Sequence, residues 1–220
     1  MPATLISMAK DVATDAGYSG QLTSVNVASG DGARFVKYVK DATAYIETLW
    51  GDWRFLWGGL LSGTLTIGQA NIAAPTNLYR WDQGRLFFDT HLITPILWHE
   101  FQPYANMLDP GYPTQFVIMP DNSIQMYPPP DAAYNYQFSW YQYSRELNLD
   151  TDEPLIPDAF RRTITAYALW LYATYDDAAE LAAKSQAEYN KWILLLEGDQ
   201  RPDGMPSTQS SGNRITIVTE

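Results

Sequence analysis

Cysteine is absent from the 220 residues, which excludes disulfides, thiolate metal sites and thiol catalysis together. Histidine is almost absent: His91 and His99 are the two present, and neither has a second histidine at ligand spacing, so a metal centre has no support. Long apolar runs are missing as well. The most apolar stretch, Ile164 to Tyr175, falls short of the roughly 18–20 residues that span a bilayer and is bracketed by Arg161, Arg162, Asp176 and Asp177. The N-terminus has neither the basic start nor the apolar run of a signal peptide, and synthesis in the cytosol is the expectation. The phosphate-binding patterns G-x-x-x-x-G-K and G-x-G-x-x-G do not occur, nor does the G-x-S-x-G nucleophile elbow. The acidic run of Asp150, Asp152 and Glu153 lacks the glycine and distal glutamate of a calcium loop and reads as loop charge before a helix.

Positive charge is scarce. Fourteen basic residues against 25 acidic ones leave a net charge of −11, which disfavours tight binding to DNA phosphates. The same acidity suits a wall past which DNA slides without sticking, although many soluble proteins are simply acidic.

Aromatic residues, by contrast, are plentiful. Eight Trp, fifteen Tyr and eight Phe make up 14% of the chain, more than one core of this size readily holds. Trp and Tyr combine an apolar body with a polar edge and are enriched where proteins meet, so extensive partner surface is expected.

Periodicity divides the chain into three parts. Leu5, Met8, Ala9, Val12 and Ala16 define a first helix over 4–16, ended by Gly17 and Gly20. Phe35, Val39, Ala42, Ile46, Leu49 and Trp53 form the seam of a second helix, with Arg34, Lys37 and Lys40 on a solvated opposite face. From Gly58 the runs LLSGTLTIG, NLYRWD and GRLFFD read as strands separated by turns, followed by a short amphipathic stretch over 97–105. QFVIM and SIQMY flank the turn residues Pro120, Asp121 and Asn122 as a hairpin. A further strand over 136–141 places Tyr136, Phe138 and Trp140 on one face and Gln137 and Ser139 on the other. Helix returns after Pro157, expected in its first turn, with a stripe of Phe160, Ile164, Ala168, Leu171 and Tyr175. Leu169 and Trp170 make that helix apolar nearly all round, so it needs cover on several sides. Asp177 and Glu180 suggest a capping box that restarts the helix, which then runs to about Glu197. The expected fold is α+β: a mainly helical bundle from 1–57 and 146–197, a small antiparallel β insertion over 58–145, and an extended arm over 198–220. Pro, Gly and Ser dominate the start of the arm, and the strand-like run Arg214 to Val218 lies near its end.

In their order along the chain these segments resemble the head-to-tail adaptor proteins of short-tailed bacteriophages. LWGDWRFLW looks like the aromatic ending of the family's second helix, NLYRWD its hydrophobic strand with arginine, and WHEF its W-x-x-F helix. GYPTQFVIMPDNSIQMYPPPDAAYNYQFSWY follows the family order of G-x-P, aromatic strand, turn, hydrophobic strand, P-x-P and aromatic strand. DTDEPLIPDAF resembles its acidic loop before a proline-started helix. The resemblance implies a structural virion protein without cofactor or catalytic residues. It implies a dodecameric ring seated under the portal protein at the head-to-tail junction, on which tail nozzle, tube or fibre proteins dock and through which double-stranded DNA passes. It also implies an arm reaching the portal or a neighbouring subunit, for which Arg214, Ile215, Ile217 and Val218 are the candidate anchor. Trp170, Tyr136 and Trp140 are candidates for subunit or tail interfaces.

Burying Ile215, Ile217 and Val218 is worth about 1.5–3 kcal/mol each. Ordering the segment costs about 1–2 kcal/mol per residue. One arm alone therefore binds weakly, and attachment becomes firm when many arms act round a ring. Two other classes remain open on the sequence. A free-standing glycan- or peptide-binding module would use the Tyr and Trp faces of the β region. A cell-wall hydrolase would use carboxylates that no motif singles out.

Overall fold

The computed structural model describes residues 3–104 and 109–201. Arg214, Ile215, Ile217 and Val218 lie outside these.

The first helix, α1 (Leu5–Asp15), starts where Thr4 Oγ1 accepts the backbone N–H of Ser7 at 3.4 Å. It buries Leu5, Met8, Ala9 and Val12. Gly30, at φ 56°, turns the chain into α2 (Asp31–Leu49), whose buried face carries Phe35, Val36, Val39, Ala42 and Ile46. The expected seam stops short of Trp53. The helix ends at Leu49, and a turn brings Trp53 back beneath it, where its indole N–H donates to the Ile46 carbonyl at 3.0 Å. Trp53 is fully buried, by chain reversal and not by helical periodicity.

Helix α4 (Arg162–Tyr175) follows a 3-10 turn over Asp158–Phe160, with Pro157 just before that turn and outside the α-helix. Its buried face is Ile164, Thr165, Ala168, Leu169 and Tyr172, and Tyr175 at the end of the expected stripe is 54% exposed. The stripe is rotated because α4 packs on α1, α2 and α5 together. The last of these, α5 (Ala179–Gln200), begins without a capping box. Asp177 takes the left-handed conformation, φ 54°, and the Ala178 N–H returns to the Ala173 carbonyl at 2.9 Å, so α4 is closed by its own backbone. Asp177 cannot cap α5 from there, and the helix extends beyond Glu197 to Gln200.

Between α2 and α4 the chain forms two four-stranded sheets. The first has the order β1 (Trp57–Leu65), β8 (Tyr134–Gln142), β3 (Leu78–Phe88), β4 (His91–Leu92). The second has the order β2 (Asn71–Ile72), β7 (Ile124–Tyr127), β6 (Gln115–Ile118), β5 (Thr94–Ile96). NLYRWD and GRLFFD prove to be one strand, β3, whose register against β8 is interrupted between Trp81 and Leu86; the glycine there marks the irregularity and not a turn. The β6–β7 hairpin has Gln115 opposite Tyr127 and Ile118 opposite Ile124, with Asn122 at φ 64° in its turn. β8 does not extend that hairpin. It pairs across long sequence distance with β1 and β3, in the other sheet. The sheets are antiparallel except that β5 runs parallel to β6, which departs from the all-antiparallel expectation. The short helix α3 (Trp98–Phe101) supplies the crossover between these two strands, and the Leu97 N–H donates to Glu100 at its start.

The inner faces of the sheets enclose a core of Leu65, Leu86, Phe88, Phe116, Ile124, Met126 and Phe138. A second core lies among the helices and includes Tyr141 from β8. The fold is α+β.

Candidate interaction surfaces

β1 and β8 contain no charged residue between them. Their pairing sets Leu61 opposite Phe138 on the inner face, and so turns Leu60, Ser62 and Thr64 outward beside Ser139, Gln137 and Asn135. β3 and β4 continue that outward face with Phe87 and Leu92, which are paired with each other, Phe87 also standing opposite Gln137. Trp57, Leu60, Phe87 and Leu92 are 49%, 52%, 39% and 57% exposed. The polar groups among them are partly spent on one another: the Trp57 indole donates to Ser139 Oγ at 2.8 Å and the Thr64 hydroxyl to Asn135 Oδ1 at 2.7 Å. Across β1 and β8 the outcome is a face of large apolar and amide side chains without charge, on a chain of net charge −11, with Arg80 of β3, opposite Tyr141, the nearest charge on that side. Such a face removes little charge from water when covered, which is the composition of an interface centre.

Tyr136 and Trp140 occupy the opposite, inner face of β8, as their alternation requires. Their rings lie over glycines of β1. A methyl group on Gly63 would stand 2.6 Å from the Tyr136 hydroxyl, and one on Gly58 2.6 Å from the Trp140 ring. The tyrosine also packs on Phe138, and Trp140 stands opposite Trp81, whose indole reaches the Asn122 carbonyl at 2.8 Å. Both residues are half-buried, with much of each ring engaged within the chain. Trp170 belongs to the helical core, not to this sheet. It is half-buried against Tyr167 and Tyr189, and Tyr167 in turn stacks on the exposed Tyr45 with ring centres 4.7 Å apart. Burial pushes the Tyr189 phenol well above its ordinary pKa, so it stays neutral in this stack.

Two polar clusters join distant segments. Arg161 is nearly buried and donates to the carbonyls of Ile156 at 3.1 Å and Ala3 at 2.7 Å, and to Glu153 at 3.1 Å. Asp158 lies 2.7 Å from the same guanidinium. Glu47 on α2 is buried and accepts from the Ser144 hydroxyl and, at 3.2 Å, from the Leu155 N–H. Burial raises its pKa, and the bonds from Ser144, Leu155 and Ile156 oppose that rise. In the acidic run, Asp152 accepts the N–H groups of Asn148 at 2.6 Å and Leu149 at 2.8 Å, which lower its pKa. Asp150 accepts from Ser24 at 3.1 Å and from the Val25 N–H at 2.7 Å. These carboxylates hold loops in place. Among the described residues no group of three or more His, Cys, Asp or Glu could hold a metal ion.

Sequence reasoning missed Trp57, Leu60, Phe87 and Leu92 as surface residues, and Glu47 as a buried one. The signal for the first was present in the uncharged alternation of LLSGTL and YNYQFSWYQ. None marks Glu47, which shares its helix turn with exposed polar residues. No helix of the described residues is long and apolar enough to cross a membrane. A family model described as SU10 adaptor protein matches residues 3–212. No match was found among curated proteins.

Proposed function

We propose that this chain, which belongs to the SU10 adaptor family, is a structural, non-enzymatic virion subunit that forms a ring under the portal protein of a phage head and presents a docking surface to tail proteins. The observation that carries the proposal is the family match over residues 3–212, which spans both cores. Three further features agree with it. The outward side chains of β1 and β8, none of them charged, have the composition of a protein-binding surface. The excess of 25 acidic over 14 basic residues suits a channel that DNA must traverse without adhering. The polar clusters at Arg161 and Glu47 are engaged in holding the fold together, as suits a structural subunit.

In this reading 1–57 and 146–197 make the helical bundle, 58–145 the β insertion, and 198–220 an arm that reaches the portal or a neighbouring subunit through Arg214, Ile215, Ile217 and Val218. Trp170, Tyr136 and Trp140 contribute their exposed edges to subunit or tail contacts. In a dodecamer, each arm and face that binds weakly alone would hold firmly round the closed circle.

Electron microscopy of the purified chain mixed with portal protein tests this directly. The expected image is a ring cap holding one copy per portal subunit. A chain that stays apart from portal at every concentration, or that turns over a cell-wall substrate, would end the proposal.

A further inference from the structure

β8 runs through both cores: it gives Phe138 to the sandwich and Tyr141 to the helices. Where it passes from one to the other, both of its neighbours carry an extra residue. On β1, Trp57 pairs with Tyr141 and Gly59 with Trp140, so Gly58 is unmatched. On β3, Leu78 pairs with Gln142 and Arg80 with Tyr141, so Tyr79 is unmatched. Such a bulge bends its strand and interrupts the hydrogen-bond ladder. Two of them flank Tyr141 from opposite sides, which draws a line of weakened pairing across the sheet where it leaves the bundle. Gly59 lies on that line at φ 103°, and a methyl group there would meet nothing within 4 Å, so the backbone alone calls for glycine.

On the bundle side of this line the chain is fixed. Trp53, Leu56 and Leu147 are buried, and Glu47 holds Ser144. Across the line the contacts are lighter. The bulge on β3 lets Tyr79 and Arg80 both reach the turn after α2: a methyl group on Gly51 would stand 2.8 Å from the Tyr79 ring and 3.4 Å from Arg80 Nε. The Arg80 guanidinium carbon lies 5.1 Å from the centre of the Tyr141 ring, and its Nη2 is 3.8 Å from an Asp52 oxygen. Its Nε is buried without a hydrogen-bond partner among the described residues. A guanidinium held by one long ion pair and one ring, with a donor unused, makes a contact that breaks at small cost.

We infer that the sandwich tilts on the helical bundle about the line from Gly58 and Gly59 to Tyr79, and that Arg80 is the positioning residue that holds it at the angle seen. A hinge takes up backbone change at a few residues while the bodies on either side stay packed. Two separate cores meet that condition. The tilt re-aims the outward side chains of β1 and β8, Leu60 among them, without opening either core. A partner that engages both bodies then selects the angle that suits it. The hinge needs no second copy and no partner, so it stands apart from the adaptor reading.

The chain lacks cysteine, so spin labels attach only where thiols are introduced. In the full-length chain, Lys37→Cys on α2 and Thr64→Cys at the far end of β1, both exposed, report the distance between the two bodies by double electron–electron resonance. Lys37→Cys with Lys191→Cys reports within the bundle, and Thr64→Cys with Thr94→Cys within the sandwich. Arg80→Ala should widen the distance distribution between the bodies about twofold and leave both internal ones at the parent width. Arg80→Lys keeps a charge near Asp52 but not the flat contact with Tyr141, and should widen it less. Asp52→Asn breaks the ion pair from the other side and gives the same reading should Arg80→Ala not fold. Amide exchange locates the axis: in these variants Gly58, Gly59, Tyr79 and Arg80 should exchange faster while Phe88 and Phe138 keep their parent rates. A width between the bodies that both variants leave unchanged, a widening shared by the internal pairs, or faster exchange spread evenly over β1, β3 and β8 would each overturn the inference.

Discussion

Arg161 Nη1 donates at 2.7 Å to the carbonyl oxygen of Ala3, a residue 158 positions earlier in the chain. The same guanidinium holds the carbonyl of Ile156 and the carboxylates of Glu153 and Asp158, so one side chain fastens the start of α1, the acidic loop and the entry to α4.

Arg161→Ala should therefore cost about 2–4 kcal/mol of stability, mostly from buried carbonyls left without a donor. The ion pairs add less, because the Glu153 and Asp158 side chains are 40% and 65% exposed. Arg161→Lys restores charge but not the fork of donors and should recover only part of the loss. Urea unfolding of the two variants measures both; equal stability to the parent would contradict the role assigned to Arg161.

Glu47 gives a pH dependence of defined sign. Its pKa in the folded chain is raised by burial, so the folded state holds the proton more tightly than the unfolded one. Its contribution is fully present below the unfolded value, near 4.5, and is lost as pH rises through the folded value. In Glu47→Gln the amide still accepts the Leu155 N–H and meets the Ser144 hydroxyl, while the titration is gone. The decline of urea midpoint with rising pH from about 4 upward should be shallower in the variant than in the parent. Parallel curves would show that Glu47 does not titrate as its burial demands.

Gly58 and Gly63 tie β1 to the rings of Trp140 and Tyr136. Gly58→Ala places a methyl group 2.6 Å from the Trp140 ring and should cost about 1–3 kcal/mol by displacing it. Tryptophan fluorescence should shift to the red in the folded variant, and an unchanged spectrum with unchanged stability would refute the packing.

The outer sheet face separates stability from assembly. Leu60→Lys and Leu92→Glu alter side chains 52% and 57% exposed and should change stability by no more than about 0.5 kcal/mol. Each should weaken association with other subunits or tail proteins about tenfold or more, by placing a charge in an interface centre. Sedimentation of variant and parent with portal and tail proteins reads that difference.

Truncation after Arg201 removes the segment that carries Ile215, Ile217 and Val218. The remaining chain should fold with both cores and fail to co-sediment with portal. Retained portal binding would assign attachment to the body of the protein.

Much of the architecture could be read from local pattern. The spacing of Leu5, Met8, Ala9 and Val12 and of Phe35, Val39, Ala42 and Ile46 placed α1 and α2, because a helix makes neighbours of residues three and four apart. The turn residues at 120–122 placed the hairpin, and the order of weak motifs pointed to the adaptor family. Readings failed where the outcome depended on a distant partner. Helical period carries the α2 seam on to Trp53, whose burial follows instead from a chain reversal against Ile46. Asp177 has the residue type and spacing of a cap, yet its backbone closes the preceding helix.

Sequence alone determined which segments could be helix or strand, the absence of thiol chemistry, and the neutrality of β1 and β8, since these reside in residue type and short-range period. Tertiary structure decided that Tyr134–Gln142 joins Trp57–Leu65 and not the hairpin just before it. It thereby decided which side of the sheet shows Leu60, Phe87 and Leu92 to solvent and which buries Phe138. A strand offers two faces and two edges of equal local merit, and only the packing of distant segments selects among them.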